Sequence, residues 1–119
     1  MTGLAAVGYK CRMKVDDAAA HLEALGNPTR LRVYRLLVRA GDTGMTVGRL
    51  QERLDIAPST LSHHLKTLVT VGLVTQERES TTLICRANYP VMEALIGFLA
   101  DECCAEGSCA PASARAKAS

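Results

Sequence analysis

The sequence predicts a mainly α-helical domain with one small β-hairpin, in the order α-α-α-α-β-β-α. Three observations carry that expectation. Apolar residues recur at helical spacing along most of the chain, with Pro28, Pro58 and Pro90 placed where helices would begin. The period changes to alternation only between Leu73 and Arg86. Aromatic content is 3%, without Trp, so the core must be built from Leu, Val, Ile and Ala, which suits helix-on-helix packing.

Met1 to Val15 forms a poorly patterned arm carrying Lys10, Cys11, Arg12 and Lys14. It reads as a solvated tail; the alternative is an arm packed on a second subunit. The first helix is expected over Asp16–Leu25, with Asp16 and Asp17 at its positive end and Ala18, Leu22 and Leu25 on one face. Gly26-Asn27 ends it, and Pro28 opens a second helix to Arg39. Leu31, Tyr34, Leu37 and Val38 form its buried stripe, and Arg30, Arg32, Arg35 and Arg39 take the other faces. Gly41 to Gly44 is a turn.

Thr46 is a suitable N-cap for a third helix, Thr46 to Leu54, with Val47, Leu50 and Leu54 inward. A tight link, Asp55-Ile56-Ala57, leads into a fourth helix that Gly72 stops after about Val71. Leu61, Leu65 and Leu68 make its apolar stripe. Ser59, Ser62, His63, Lys66 and Thr67 fall off that stripe, and they are short polar or cationic groups suited to phosphate oxygens and base edges. Two helices joined by a tight turn, the second polar-faced, make a helix-turn-helix, and the hairpin that follows is its wing. The hairpin turn has neither Gly nor Pro, so its register is open. The DNA contacts expected are Ser59, Thr60, Ser62, His63, His64 and Lys66, with Arg78 near the wing tip; His64 has the alternative of facing the domain body, and Arg78 that of pairing with Glu77 or Glu79.

Pro90 opens the last helix, Val91 to about Cys103, in which Val91, Met92, Leu95, Ile96, Phe98 and Leu99 spread round much of the circumference. A domain this small cannot wrap such a helix alone, so a homodimer through the first and last helices is expected. Residues 16–103 then form the DNA-binding and dimerisation domain, and 104–119 a partly disordered tail containing cysteine. A dimer would set two recognition helices about 34 Å apart on double-stranded operator DNA.

The 119 residues allow one domain. Net charge is +2, so DNA affinity must come from local clustering. Few aromatics argue against single-strand binding, which needs stacking platforms. No stretch approaches the roughly 20 apolar residues that span a bilayer, and Met1 to Gly8 lacks the features of a signal peptide. A cytoplasmic protein without membrane partners is expected. No nucleophile triad, phosphate loop or carboxylate pair points to an enzyme.

Gly26-Asn27-Pro28-Thr29-Arg30, the run Ser59-Thr60-Leu61-Ser62-His63-His64-Leu65-Lys66, and Gly72-Leu73-Val74 resemble the ArsR/SmtB family of bacterial repressors over roughly Asp16 to Leu99. The resemblance implies a winged-helix homodimer that blocks transcription until an inducer loosens it. The family's common Cys-Val-Cys arsenic site has no counterpart here: Thr46-Val47-Gly48-Arg49 stands at that place. Its Asp/His zinc site on the last helix is likewise missing its histidine. The segment from Asp101 to Cys109 looks like the C-terminal cysteine cluster of an arsenic-responsive subset.

Cys103, Cys104 and Cys109 place three thiols within seven positions. Thiolates select soft centres. Three sulfurs without a fourth ligand suit As(III), or Sb(III), better than tetrahedral zinc. Neighbouring residues on a helix do not face one another, so the site requires the helix end to fray. Cys85 reads as a small buried residue, and Cys11 is undecided. The function expected is an arsenic(III)-responsive repressor released from its operator when the cluster is occupied. The alternatives are a thiol redox-sensing repressor, a response to methylated As(III), cadmium or lead, and a metal-buffering protein with a protein partner.

Overall fold

A computed structural model describes residues 13–107. Among the described residues, five helices and a three-stranded antiparallel sheet follow in the order α1 (Val15–Leu25), α2 (Pro28–Ala40), a 3-10 turn (Gly41–Thr43), β1 (Met45–Thr46), α3 (Val47–Leu54), α4 (Pro58–Thr70), β2 (Val74–Glu79), β3 (Thr82–Ala87) and α5 (Tyr89–Ala100). None of these helices is long and apolar enough to cross a membrane.

Helix starts follow the expected chemistry. Asn27 caps α2 by accepting the Arg30 N–H at 3.0 Å, and Thr46 caps α3 by accepting the Arg49 N–H at 3.1 Å. Gly72, at φ 88, ends α4, where the Leu73 N–H closes back on the Leu68 carbonyl at 3.0 Å. Asn88 then ties the hairpin's exit to this point: its N–H bonds the Leu73 carbonyl and its side-chain amide the Gly72 carbonyl.

The hairpin pairs Val74 with Ala87 through Glu79 with Thr82, so Ser80-Thr81 is a two-residue loop. Ser80 takes φ 60, the left-handed conformation such a loop requires, although it is not glycine. The two-residue strand β1 adds a third member to the sheet, in the order β1-β3-β2. It is too short to leave an alternating pattern, which is why the sequence shows only a turn there. Gly44 makes this pairing possible: a Cβ on it would lie 2.6 Å from the Cys85 carbonyl oxygen.

Leu37, Leu50, Leu61, Leu68, Leu73, Val33, Val74 and Cys85 are fully buried and join α2, α3, α4 and the sheet into one core. The expected faces of α1 and α2 need correction. On α1 the inward residues are Ala18, His21 and Ala24, while Leu22 is exposed; on α2 Leu31 is exposed and Val33 is buried. Arg30, expected on an outer face, is half-buried. The last helix ends at Ala100, three residues before Cys103, and continues as turns. Val15 and Leu22 on α1, and Ile96 and Leu99 on α5, are exposed apolar side chains.

Candidate nucleic-acid interface

Helices α3 and α4 are joined by Asp55, Ile56 and Ala57. Asp55 takes a left-handed conformation, φ 54 and ψ 52, and its N–H bonds the Gln51 carbonyl at 2.8 Å, ending α3 in one residue. Asp tolerates this region better than most residues because its short polar side chain can bond locally. Pro58 opens α4 after Ala57, which offers no capping side chain. The first-turn N–H groups at Ser59 and Thr60 are thus left for an outside acceptor, and a helix N-terminus favours an anion there.

Along α4, Leu61, His64, Leu65 and Leu68 face inward. Ser59, Thr60, Ser62, His63 and Lys66 are exposed and form one outward face. Thr67 is half-buried and donates its hydroxyl to the His63 carbonyl at 3.2 Å. Ser62 and Lys66 also line a groove of about 290 Å³ against Gln76 and Leu83 of the wing, so helix and hairpin border one surface.

His64 departs from its expected place in that row. Its side chain is 9% exposed, and its Nδ1 accepts from Arg30 Nη1 at 3.4 Å. Burial, the Arg30 guanidinium and then His63 hold its pKa below the ordinary value. It faces the domain body and supports the helix from behind. Arg78 is exposed on β2 near the turn. Glu77 is engaged elsewhere: its Oε1 pairs with Arg86 Nη1 at 2.7 Å, while Arg86 Nε donates to the Asp42 carbonyl. Among the described residues, Arg78 has no carboxylate within ion-pair distance.

The cysteines divide into two groups. Cys85 is fully buried on β3, receives a hydrogen bond from Gln76 Nε2 at 3.5 Å, and has its thiol pKa pushed up by burial. Cys103 and Cys104 lie past the end of α5, in turns closed by Cys103 N–H to Ala100 O and Ala105 N–H to Glu102 O, each 3.0 Å. Cys104 is left-handed at φ 60, and its Sγ lies 3.6 Å from that of Cys103. Cys109 and Cys11 lie outside the described residues. Among the described residues no three His, Cys, Asp or Glu side chains gather as a metal site.

Two polar contacts between helices escaped the sequence. Arg30 donates through Nε to the Ala24 carbonyl at 2.7 Å as well as reaching His64, and His21 on α1 donates from Nε2 to the Val71 carbonyl at 2.8 Å. The signals were a lone Arg in the first turn of α2 and a His among alanines, neither of which names its partner.

A helix-turn-helix domain profile matches residues 25–77. The chain is 37% identical over 68 residues to an uncharacterized HTH-type transcriptional regulator of Methanocaldococcus jannaschii, covering 57% of this chain and 74% of that protein. A solution structure from Mycobacterium bovis, described as a homodimeric winged helix-turn-helix DNA-binding domain and a possible ArsR-family regulator, superposes with a TM-score of 0.59 at 30% identity, over 74% of this chain and 82% of that one. This chain belongs to the ArsR family. A third relative, named "Putative arsenical resistance operon repressor ArsR", of Halobacterium salinarum, is 38% identical over 58 residues, 49% of this chain and 44% of that protein. The ArsR family consists of DNA-binding transcriptional regulators rather than enzymes, and in this chain α3, α4 and the β2–β3 hairpin form the helix-turn-helix and wing of that fold.

Proposed function

We propose that this ArsR-family chain is a homodimeric repressor that is released from its operator when trivalent arsenic, or antimony, bonds to Cys103, Cys104 and Cys109. In this reading Ser59, Thr60, Ser62, His63 and Lys66 meet the major groove and Arg78 the flanking backbone, while His64 holds the helix from within. The dimer covers Val15 and Leu22 of α1 and Ile96 and Leu99 of α5, whose exposure in one protomer leaves an apolar surface of the kind that marks an interface. The homodimeric state of the M. bovis relative supports this assembly.

The observation that carries the inducer reading is the 3.6 Å between the sulfurs of Cys103 and Cys104. On a regular helix neighbouring side chains diverge. Here α5 has already ended, Cys104 is left-handed, and its sulfur lies beside that of its neighbour. Two sulfurs this close can bond one shared atom, and a third thiolate completes the three bonds of a centre that keeps a lone pair. Binding at the end of α5 would act directly on the dimer helix.

The test is a mobility shift on an operator duplex with fully reduced protein. As(III) should release the DNA, and Cys109→Ser should lose that response. Release by peroxide without arsenic would assign the thiols to oxidation instead.

A further inference from the structure

We propose that Arg30 is the positioning residue of the recognition helix, one guanidinium tying α4 to α1. The inference rests on the DNA-binding, dimeric reading given above and deepens it. Arg30 touches three helices. Its own N–H is held by Asn27 at the start of α2, its Nε donates to the Ala24 carbonyl in the last turn of α1, and its Nη1 donates to His64 Nδ1 in the middle of α4. A second tie runs from His21 on α1 to the Val71 carbonyl at the end of α4. Among the described residues, these are the side-chain hydrogen bonds that link α1 to α4, directly or through Arg30.

The remaining hold along α4 itself is apolar, through Leu61, Leu65 and Leu68, while Asn88 fixes the turn beyond its end at Gly72. Apolar burial resists separation but has no direction, so it does not fix rotation of the helix about its axis. Hydrogen bonds weaken steeply with angle. The ties at His64 and Val71, one at mid-helix and one at its end, therefore set both rotation and tilt. They set them relative to α1, the helix that carries exposed Val15 and Leu22. The two recognition helices of a dimer are thereby kept at the spacing DNA demands. The bridge requires a neutral His64 with its proton on Nε2, because an imidazolium cannot accept from Arg30. Among the described residues, the charged or titratable groups facing His64 are Arg30 from α2 and His63 on its own helix.

The experiment uses the full chain and a duplex that the wild-type protein selects from a random-sequence library. Arg30→Gln, His64→Gln, the double variant and Arg30→Lys are compared for duplex affinity, melting temperature and dimer formation by sedimentation. Arg30→Gln and His64→Gln should each weaken binding roughly tenfold, and the double variant should bind no worse than the weaker single. Arg30→Lys keeps the charge but lacks the planar fork, so it should fold and dimerise yet show the same loss. Wild-type affinity in Arg30→Lys, losses that multiply in the double variant, or losses that track dimer dissociation would each overturn the proposal. Failure of the wild type to enrich any duplex would instead overturn the DNA-binding reading on which it rests.

Discussion

Tyr89 donates its hydroxyl to the Val38 carbonyl at 2.9 Å and so fastens the first turn of α5 to the last turns of α2. Carbonyls near a helix C-terminus have no partner within the helix, and this one is satisfied from another element. The Leu37 carbonyl lies near the same hydroxyl, at 3.3 Å. Tyr89→Phe should therefore destabilise the fold by about 1 kcal/mol, the usual net value of one hydrogen bond. Urea unfolding of the two proteins at equal concentration measures it.

Tyr34 should behave in the opposite sense. Its hydroxyl is buried without a hydrogen-bond partner among the described residues. Burial, with a smaller effect from Tyr89, pushes its pKa up to about 12. Removing an unpaired buried hydroxyl relieves a desolvation cost, so Tyr34→Phe should be neutral or stabilising, by up to about 1 kcal/mol. A loss of 1 kcal/mol or more in the same urea titration would show that the hydroxyl is satisfied in solution.

His64 should make stability depend on pH. Burial first, then Arg30 and His63, lower its pKa in the folded state below the ordinary 6.5. The unfolded chain therefore binds a proton more readily than the folded one just below that value. The stability this group contributes is present above pH 6.5 and is lost as the pH falls through the folded pKa. His64→Gln does not titrate, so the difference between wild type and variant unfolding free energies should shrink between pH 7.5 and 5.5.

Lys66 stands exposed at the groove between α4 and the wing. If it neutralises one phosphate per protomer, Lys66→Gln should flatten the plot of log affinity against log salt by about 1 per protomer. Binding should weaken by a similar factor on matched and mismatched duplexes, because a phosphate contact carries no base information. An unchanged slope would place Lys66 off the DNA.

The local chemistry of this chain was legible in its sequence. Prolines at the helix starts, caps at Asn27 and Thr46, Gly72 after α4, and the leucine stripe of α4 are decided by backbone geometry and by interactions within a few residues, so they leave a readable pattern. So does the outward row of Ser59, Ser62, His63 and Lys66, since it lies opposite that stripe. Only the tertiary structure decided what each inward polar group meets. It turned His64 against Arg30 and His21 against Val71, pairings 34 and 50 residues apart that no local spacing encodes. It exposed Leu22 and Leu31 and buried Val33, because burial depends on where neighbouring helices lie as well as on the period of one helix. It also added β1, whose two residues are a strand only because β3 runs beside them with no side chain at Gly44 to keep it away.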